Sequence, residues 1–272
     1  MAEKGRSVKL ELLDDESIAV VTLNRPSARN AINEDLCHCL ANIFRRLQTL
    51  ENVRVAVLTG SGKSFSAGID LQNPVNAVRQ ASMAPEDRQV NPIHAMEDFD
   101  RPIIGAVNGA AITGGFELAL ACDILIGSSR ALFRDTHTIV GVVPCWGLSQ
   151  RLSRVIGPMR ARMVSLTASP IDARTAEAWG LLTRIVDDNS KDGKLIPASF
   201  SPLMCAAIDM ARTIVSKNNI IVREYKETIN NGYKLTLNDG LQLEQERALK
   251  QYAALGQQAI SGRAGSALRS KL

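Results

Sequence analysis

Apolar, mostly β-branched positions cluster into short runs along the first two thirds of the chain. Ser17–Leu23 reads SIAVVTL, Val53–Thr59 reads VRVAVLT, a run from Pro102 reads PIIGAVN, and residues 124–128 read ILIGS. Runs of this length, bounded by Gly, Pro, Asn or Asp, predict buried strands. Val8–Leu13 predicts a partner for the first of them, with DDES as the turn. Asn33 predicts the N-cap of a helix running to about Leu50. The segments GSGKSFSAG and NGAAITGG predict loops, the second leading into a helix. Phe133–Leu152 reads as a short strand end, a long irregular loop and a helix from about Trp146. Strands alternating with helices at short spacing predict parallel crossovers and an α/β architecture. A polar Gly- and Pro-containing linker, SKDGKLIPASFSP, then gives way to purely helical periodicity from about Ser201 to Leu255. The predicted organisation is an α/β core over residues 1–195 and a helical region over residues 196–272.

Composition narrows the function classes. The 272 residues are 45% hydrophobic and 22% charged, which suits one large domain or a domain with an appendage. The net charge of +4 is mild and its basic residues are scattered, which argues against nucleic acid and accommodates a small polyanionic ligand. No run of 18 apolar residues occurs, so no membrane span is expected. The N-terminus is polar, without a signal-peptide core. Five cysteines without a C-x-x-C pair predict free thiols. The three histidines, His38, His94 and His137, share no metal-ligand spacing, so no metal is expected. The last three residues, Ser270-Lys271-Leu272, match the S-K-L address read by the peroxisomal import receptor, so peroxisomal targeting is expected over a coincidental match.

Three loops carry candidate chemistry. Lys63–Leu71, KSFSAGIDL, follows a strand, and its small residues and Gly68 let a ligand approach the backbone. In NGAAITGGFELALACD, paired glycines at a helix start present unpaired N–H groups, a setting for an anion or a developing oxyanion. Glu117 lies three residues inside, among apolar neighbours, where an ionised carboxylate is costly and its pKa is raised. The third loop, FRDTHTIVGVVPCWGLSQRL, holds Asp135, Thr136 and His137. By spacing alone His137 reads as a structural hydrogen-bonding histidine, and Asp135 as an N-cap or turn acid.

Taken in order, RPSARNAIN, SFSAGIDL, NGAAITGGFELALACDI and GLSQRLSRVIG resemble the enoyl-CoA hydratase/isomerase (crotonase) superfamily over about residues 8–260. With DTH and the terminal S-K-L, the chain looks most like its peroxisomal monofunctional hydratase-like branch. The resemblance implies a spiral of β-β-α repeats with two near-perpendicular sheets, and C-terminal helices that build trimers, often paired into hexamers. It implies an acyl-CoA thioester substrate, coenzyme A entering as part of that substrate and no separate cofactor. The amides of Ile69 and Gly114 would grip the thioester carbonyl. Ala28, Arg29, Ala67 and Asp70 would lie along the CoA moiety, with Lys63 a further candidate for its phosphates. Glu117 matches the first catalytic glutamate. The second, twenty positions on, is replaced by His137, with Asp135 two residues away as an alternative acid. The implied activity is hydration of trans-2-enoyl-CoA to 3-hydroxyacyl-CoA in fatty-acid β-oxidation, in the peroxisome or a related organelle such as the glycosome. The alternatives are double-bond isomerisation and non-catalytic acyl-CoA binding. The acyl pocket falls to loops such as Leu71–Gln89, which carry no readable pattern.

Overall fold

The uninterrupted apolar runs become strands that are covered on both faces. The computed structural model describes residues 7–70, 89–187 and 200–260. Among these residues the strands are β1 (Val8–Leu13), β2 (Ile18–Leu23), β3 (Val55–Gly60), β4 (Ser64–Ser66), β5 (Ile103–Val107), β6 (Ala110–Ile112), β7 (Ile124–Ser128), β8 (Leu132–Arg134), β9 (Ile171–Asp172) and β10 (Arg184–Val186). The helices are α1 (Glu34–Thr49), α2 (Pro92–Glu97), α3 (Gly114–Leu120), α4 (His137–Val140), α5 (Leu148–Ile156), α6 (Pro158–Thr167), α7 (Ala173–Ala178), α8 (Pro202–Val215), α9 (Asn219–Gly232) and α10 (Leu237–Ile260).

Two sheets result. The larger runs β1-β2-β3-β5-β7-β10 and the smaller β4-β6-β8-β9. The β1–β2 hairpin is antiparallel, as expected, and β2, β3, β5, β7 and β10 are mutually parallel. Three times in succession one strand joins the large sheet and the next joins the small one: β3 then β4, β5 then β6, β7 then β8. This is the spiral of β-β-α repeats. The sequence reading treated the regions of β4 and β6 as loops. Each is only three residues long, too short for an alternating pattern to register, and pairing with a neighbour makes them strands.

The large sheet separates two apolar layers. On one face Ile18, Val20, Val55, Val57, Ile104, Ala106 and Ile126 pack against Leu203, Met204, Ala207, Ile208 and Ala211 of α8. On the other, Ala19, Val21, Ala56 and Leu58 meet α1 through Leu36, Leu40, Phe44 and Leu47. Burial on both faces explains why β2 and β3 are continuously apolar rather than alternating. Asn33 caps α1 as expected, its side chain accepting from the Leu36 amide.

The described residues fall into two compact units that divide between Asn219 and Ile220. The boundary expected near residue 195 lies outside the described residues. Because α8 covers one face of the large sheet, it sits with the first unit, although it falls within the predicted region 196–272. The second unit contains most of α9 and all of α10, a helical pair joined by Arg247 to Glu224 and Glu227. No helix among the described residues is long and apolar enough to cross a membrane.

Asn30 ties the first loop to the small sheet. Fully buried, it accepts from the Arg25 amide at 2.9 Å and donates to the carbonyls of Ser61 and Ser64 at 2.9 and 2.8 Å. Its φ of 55° is one that Asn tolerates better than most side chains. Replacing Asn30 with Ala leaves buried backbone groups unsatisfied and is expected to cost about 2 kcal/mol or more, read as a lower urea midpoint with an unchanged slope.

Candidate active site

Glu117 lies on α3 and is 1% exposed. One of its oxygens, Oε1, accepts from the backbone amides of Trp146, at 2.8 Å, and Leu148, at 3.2 Å. Both belong to the segment entering α5, and that arrangement leaves Oε2 facing His137 Nε2 at 3.9 Å. Burial raises the Glu117 pKa above its ordinary carboxylate value. The Leu148 and Trp146 amides and the neighbouring His137 act in the opposite sense, while the nearby Asp135 adds to the rise.

His137 is also buried, and its other ring nitrogen, Nδ1, lies 2.7 Å from Asp135 Oδ1. The same carboxylate oxygen accepts from the His137 amide at 3.0 Å. Burial alone would raise the Asp135 pKa. Hydrogen bonds from the His137 ring and amide, with a contribution from Ser165, outweigh it and bring it below the ordinary value. Asp135 therefore engages His137, and its carboxylate does not replace the missing glutamate opposite Glu117. His137 opens the short helix α4, where an irregular loop was expected.

The loops preceding Glu117 converge with almost no space to spare. A Cβ on Gly115 would stand 2.5 Å from the Ser66 carbonyl oxygen, which no side chain tolerates. Gly68 has φ +84°, and a Cβ there would meet the Ile112 carbonyl at 2.6 Å and the Gly114 nitrogen at 3.4 Å. The site of a Cβ on Gly114 lies 3.7 Å from the Ile69 nitrogen. The amides of Ile69 and Gly114 are thus close neighbours, and neither donates to an acceptor among the described residues. Between them, Thr113 takes φ 49° and ψ −108°, a genuine outlier for a β-branched residue. Its amide donates to Arg134 O at 2.8 Å and its hydroxyl is bonded to that of Thr136. The strained turn is therefore locked to the loop that carries His137.

Residues 14–260 match the model of the enoyl-CoA hydratase/isomerase family. The chain belongs to this family. It is similar to the probable peroxisomal enoyl-CoA hydratase 1 of Arabidopsis thaliana, at 40% identity over 94% of the chain and 93% of the relative. An enoyl-CoA hydratase structure from Bacillus anthracis superposes with a TM-score of 0.76 at 30% identity, covering 95% of this chain and 98% of that one. A monofunctional enoyl CoA isomerase from M. smegmatis does so at 0.70 and 32%, covering 86% and 97%.

The remaining expected contacts of this crotonase-family site gather beside the Ile69 loop. The Ala67 amide donates to Arg29 O at 2.9 Å, bringing together Ala28, Arg29 and Ala67, with Arg29 and Lys63 exposed. Asp70 bridges to Ile32 through its amide, and its carboxylate is ion-paired with Arg25 at 3.1 Å, an anchoring role for this loop. The sequence reading did not single out Trp146, Leu148 or Thr113. Two of them act through backbone amides and the third through its dihedral angles, none of which has a residue-type signature. Cys145, beside the site, has its thiol pushed up to about 11 by desolvation and by the Glu117 charge, so it stays protonated at neutral pH. Leu71 and the residues to 88, expected to line the acyl pocket, lie outside the described residues, as do Ser270, Lys271 and Leu272.

A carboxylate whose folded pKa is raised contributes stability below its unfolded value and loses it as pH rises through the folded value. Glu117→Gln keeps the hydrogen-bond acceptor and removes the buried charge. The variant is expected to unfold at a higher temperature than the parent at pH 8, with the gap closing as pH falls toward 4.5. An equal gap at both ends of a calorimetric pH series would remove the buried charge as its cause.

Proposed function

We propose that this chain hydrates trans-2-enoyl-CoA to 3-hydroxyacyl-CoA in fatty-acid β-oxidation. The observation that carries this is a buried, base-like carboxylate, Glu117, held by one oxygen on the helix that Gly114 opens, together with the neighbouring Ile69 and Gly114 amides, which have no acceptor among the described residues. The thioester carbonyl takes the Ile69 and Gly114 amides. Charge grows on that oxygen as the β-carbon is attacked, and a single donor of this kind is typically worth about 3 kcal/mol. The 3.9 Å between Glu117 Oε2 and His137 Nε2 is too long for a direct hydrogen bond and short enough for one water to touch both. Glu117 takes that water's proton as its oxygen bonds to the β-carbon. The proton then goes to the α-carbon as the enolate collapses, so the cycle exchanges no net proton. A raised pKa suits the carboxyl to both steps.

The CoA moiety runs past Ala28, Arg29 and Ala67, with Arg29 and Lys63 near its phosphates. The relatives named as hydratases, one of them peroxisomal, support this reading. The similarity to an isomerase, together with a single glutamate in the site, supports a second one: double-bond migration using Glu117 alone.

Glu117→Gln is expected to lower kcat for a 2-enoyl-CoA by about a thousandfold, with acyl-CoA affinity unchanged within about threefold by calorimetry. Near-parental hydration by this variant would refute the mechanism. Product analysis after 3-enoyl-CoA is supplied separates the readings, since only an isomerase yields the 2-enoyl product. The terminal S-K-L supplies a peroxisomal address. A tagged chain lacking Leu272 is expected to stay cytosolic while sedimenting, like the parent, at three or six times 29.5 kDa. Import of the truncated chain, or a monomeric parent, would count against the address or the assembly respectively.

A further inference from the structure

The family places a second carboxylate opposite the first, and this chain has an imidazole there. A neutral imidazole does not carry the charge of the group it replaces. The geometry points to Asp135 as the positioning residue that makes His137 equivalent to that carboxylate, a role that rests on the hydratase reading above.

The argument is one of proton count and direction. Asp135 Oδ1 lies 2.7 Å from His137 Nδ1 and also accepts from the His137 amide. An ionised carboxylate only accepts, so Nδ1 must carry a proton. In the neutral imidazole the lone pair is then on Nε2, the atom directed at Glu117 Oε2. With a neutral imidazole the Asp135–His137 pair carries one negative charge, as an ionised glutamate would. Asp135 thus supplies both the missing charge and the tautomer that turns an acceptor toward the water site. The other groups facing His137 are consistent with this. Glu117 on α3 is the group the lone pair addresses, and Ser165 on α6 donates to Asp135, adding to the His137 bonds that lower its pKa against burial. The Asp135 backbone is held from either side, by Arg134 to Ala168 O and by Thr136 to Thr113, so the carboxylate is presented by an anchored loop.

Ring-¹⁵N histidine spectra read the tautomer directly, and three histidines make assignment simple. In the parent, neutral His137 is expected in the Nδ1–H form, and in Asp135→Ala in the Nε2–H form that free imidazole prefers. Asp135→Asn keeps the shape and loses the charge. It is expected to lower kcat about a hundredfold with KM within about twofold and an unchanged unfolding temperature within a few degrees. In a His137→Glu background, where a carboxylate is restored, adding Asp135→Ala is expected to change kcat by less than about twofold. A parental Nε2–H tautomer, or an Asp135 effect equally large beside Glu at 137, would overturn the role. The tautomer is read without turnover, so its failure is distinguishable from failure of the hydratase reading, which Glu117→Gln kinetics decide.

Discussion

Everything at the centre of this molecule depends on backbone touching backbone. The β4 loop and the turn before α3 approach until the Ser66 carbonyl occupies the space of a Gly115 side chain and the Ile112 carbonyl that of Gly68. Only contact this close brings the Ile69 and Gly114 amides side by side. Water-filled separation of the two loops by even one methyl group would point the amides at different ligands. The small sheet exists to hold this contact. Its strands β4, β6 and β8 are three residues long and gain little from pairing alone, yet each continues directly into a loop of the site.

The second constraint is the burial of a carboxylate. An ionised group with 1% exposure needs compensation, and Glu117 receives it on one side only. Two amides entering α5 take Oε1, and the imidazole faces Oε2 from a distance that makes no direct bond. The compensation is thus incomplete, which is why desolvation wins and the proton affinity rises. Full satisfaction would have given an inert structural carboxylate. Asp135, bonded by the His137 ring and amide, shows the opposite balance a few ångströms away.

Much of this was legible in the sequence, and what was not has identifiable physical causes. The large sheet showed itself because its strands are buried on both faces and long enough for apolar runs to stand out. The Asn33 cap was legible because its chemistry is local. Glu117 stood out as a carboxylate in an apolar helix, and its counterpart at position 137 emerged only through resemblance. The small sheet, the Trp146 and Leu148 amides and the strained Thr113 were invisible, since none depends on side-chain type at a fixed spacing. Asp135 looked like a spare acid for the same reason: whether it turned toward Glu117 or His137 is decided by a loop held at Arg134 and Thr136 from other elements. The ion pair of Asp70 with Arg25 was invisible because its partner lies 45 positions earlier in the chain.

The anchoring of Glu117 through Oε1 has a geometric outcome. A carboxylate with both oxygens available could serve either side of a flat, conjugated substrate. Here a single oxygen remains, its position set by amides that cannot rotate. If the proposed hydration holds a thioester carbonyl at Ile69 and Gly114, the new carbon–oxygen and carbon–hydrogen bonds would form on the same side of the double bond. The configuration of the product alcohol would therefore be dictated by which oxygen of one glutamate the backbone happens to occupy.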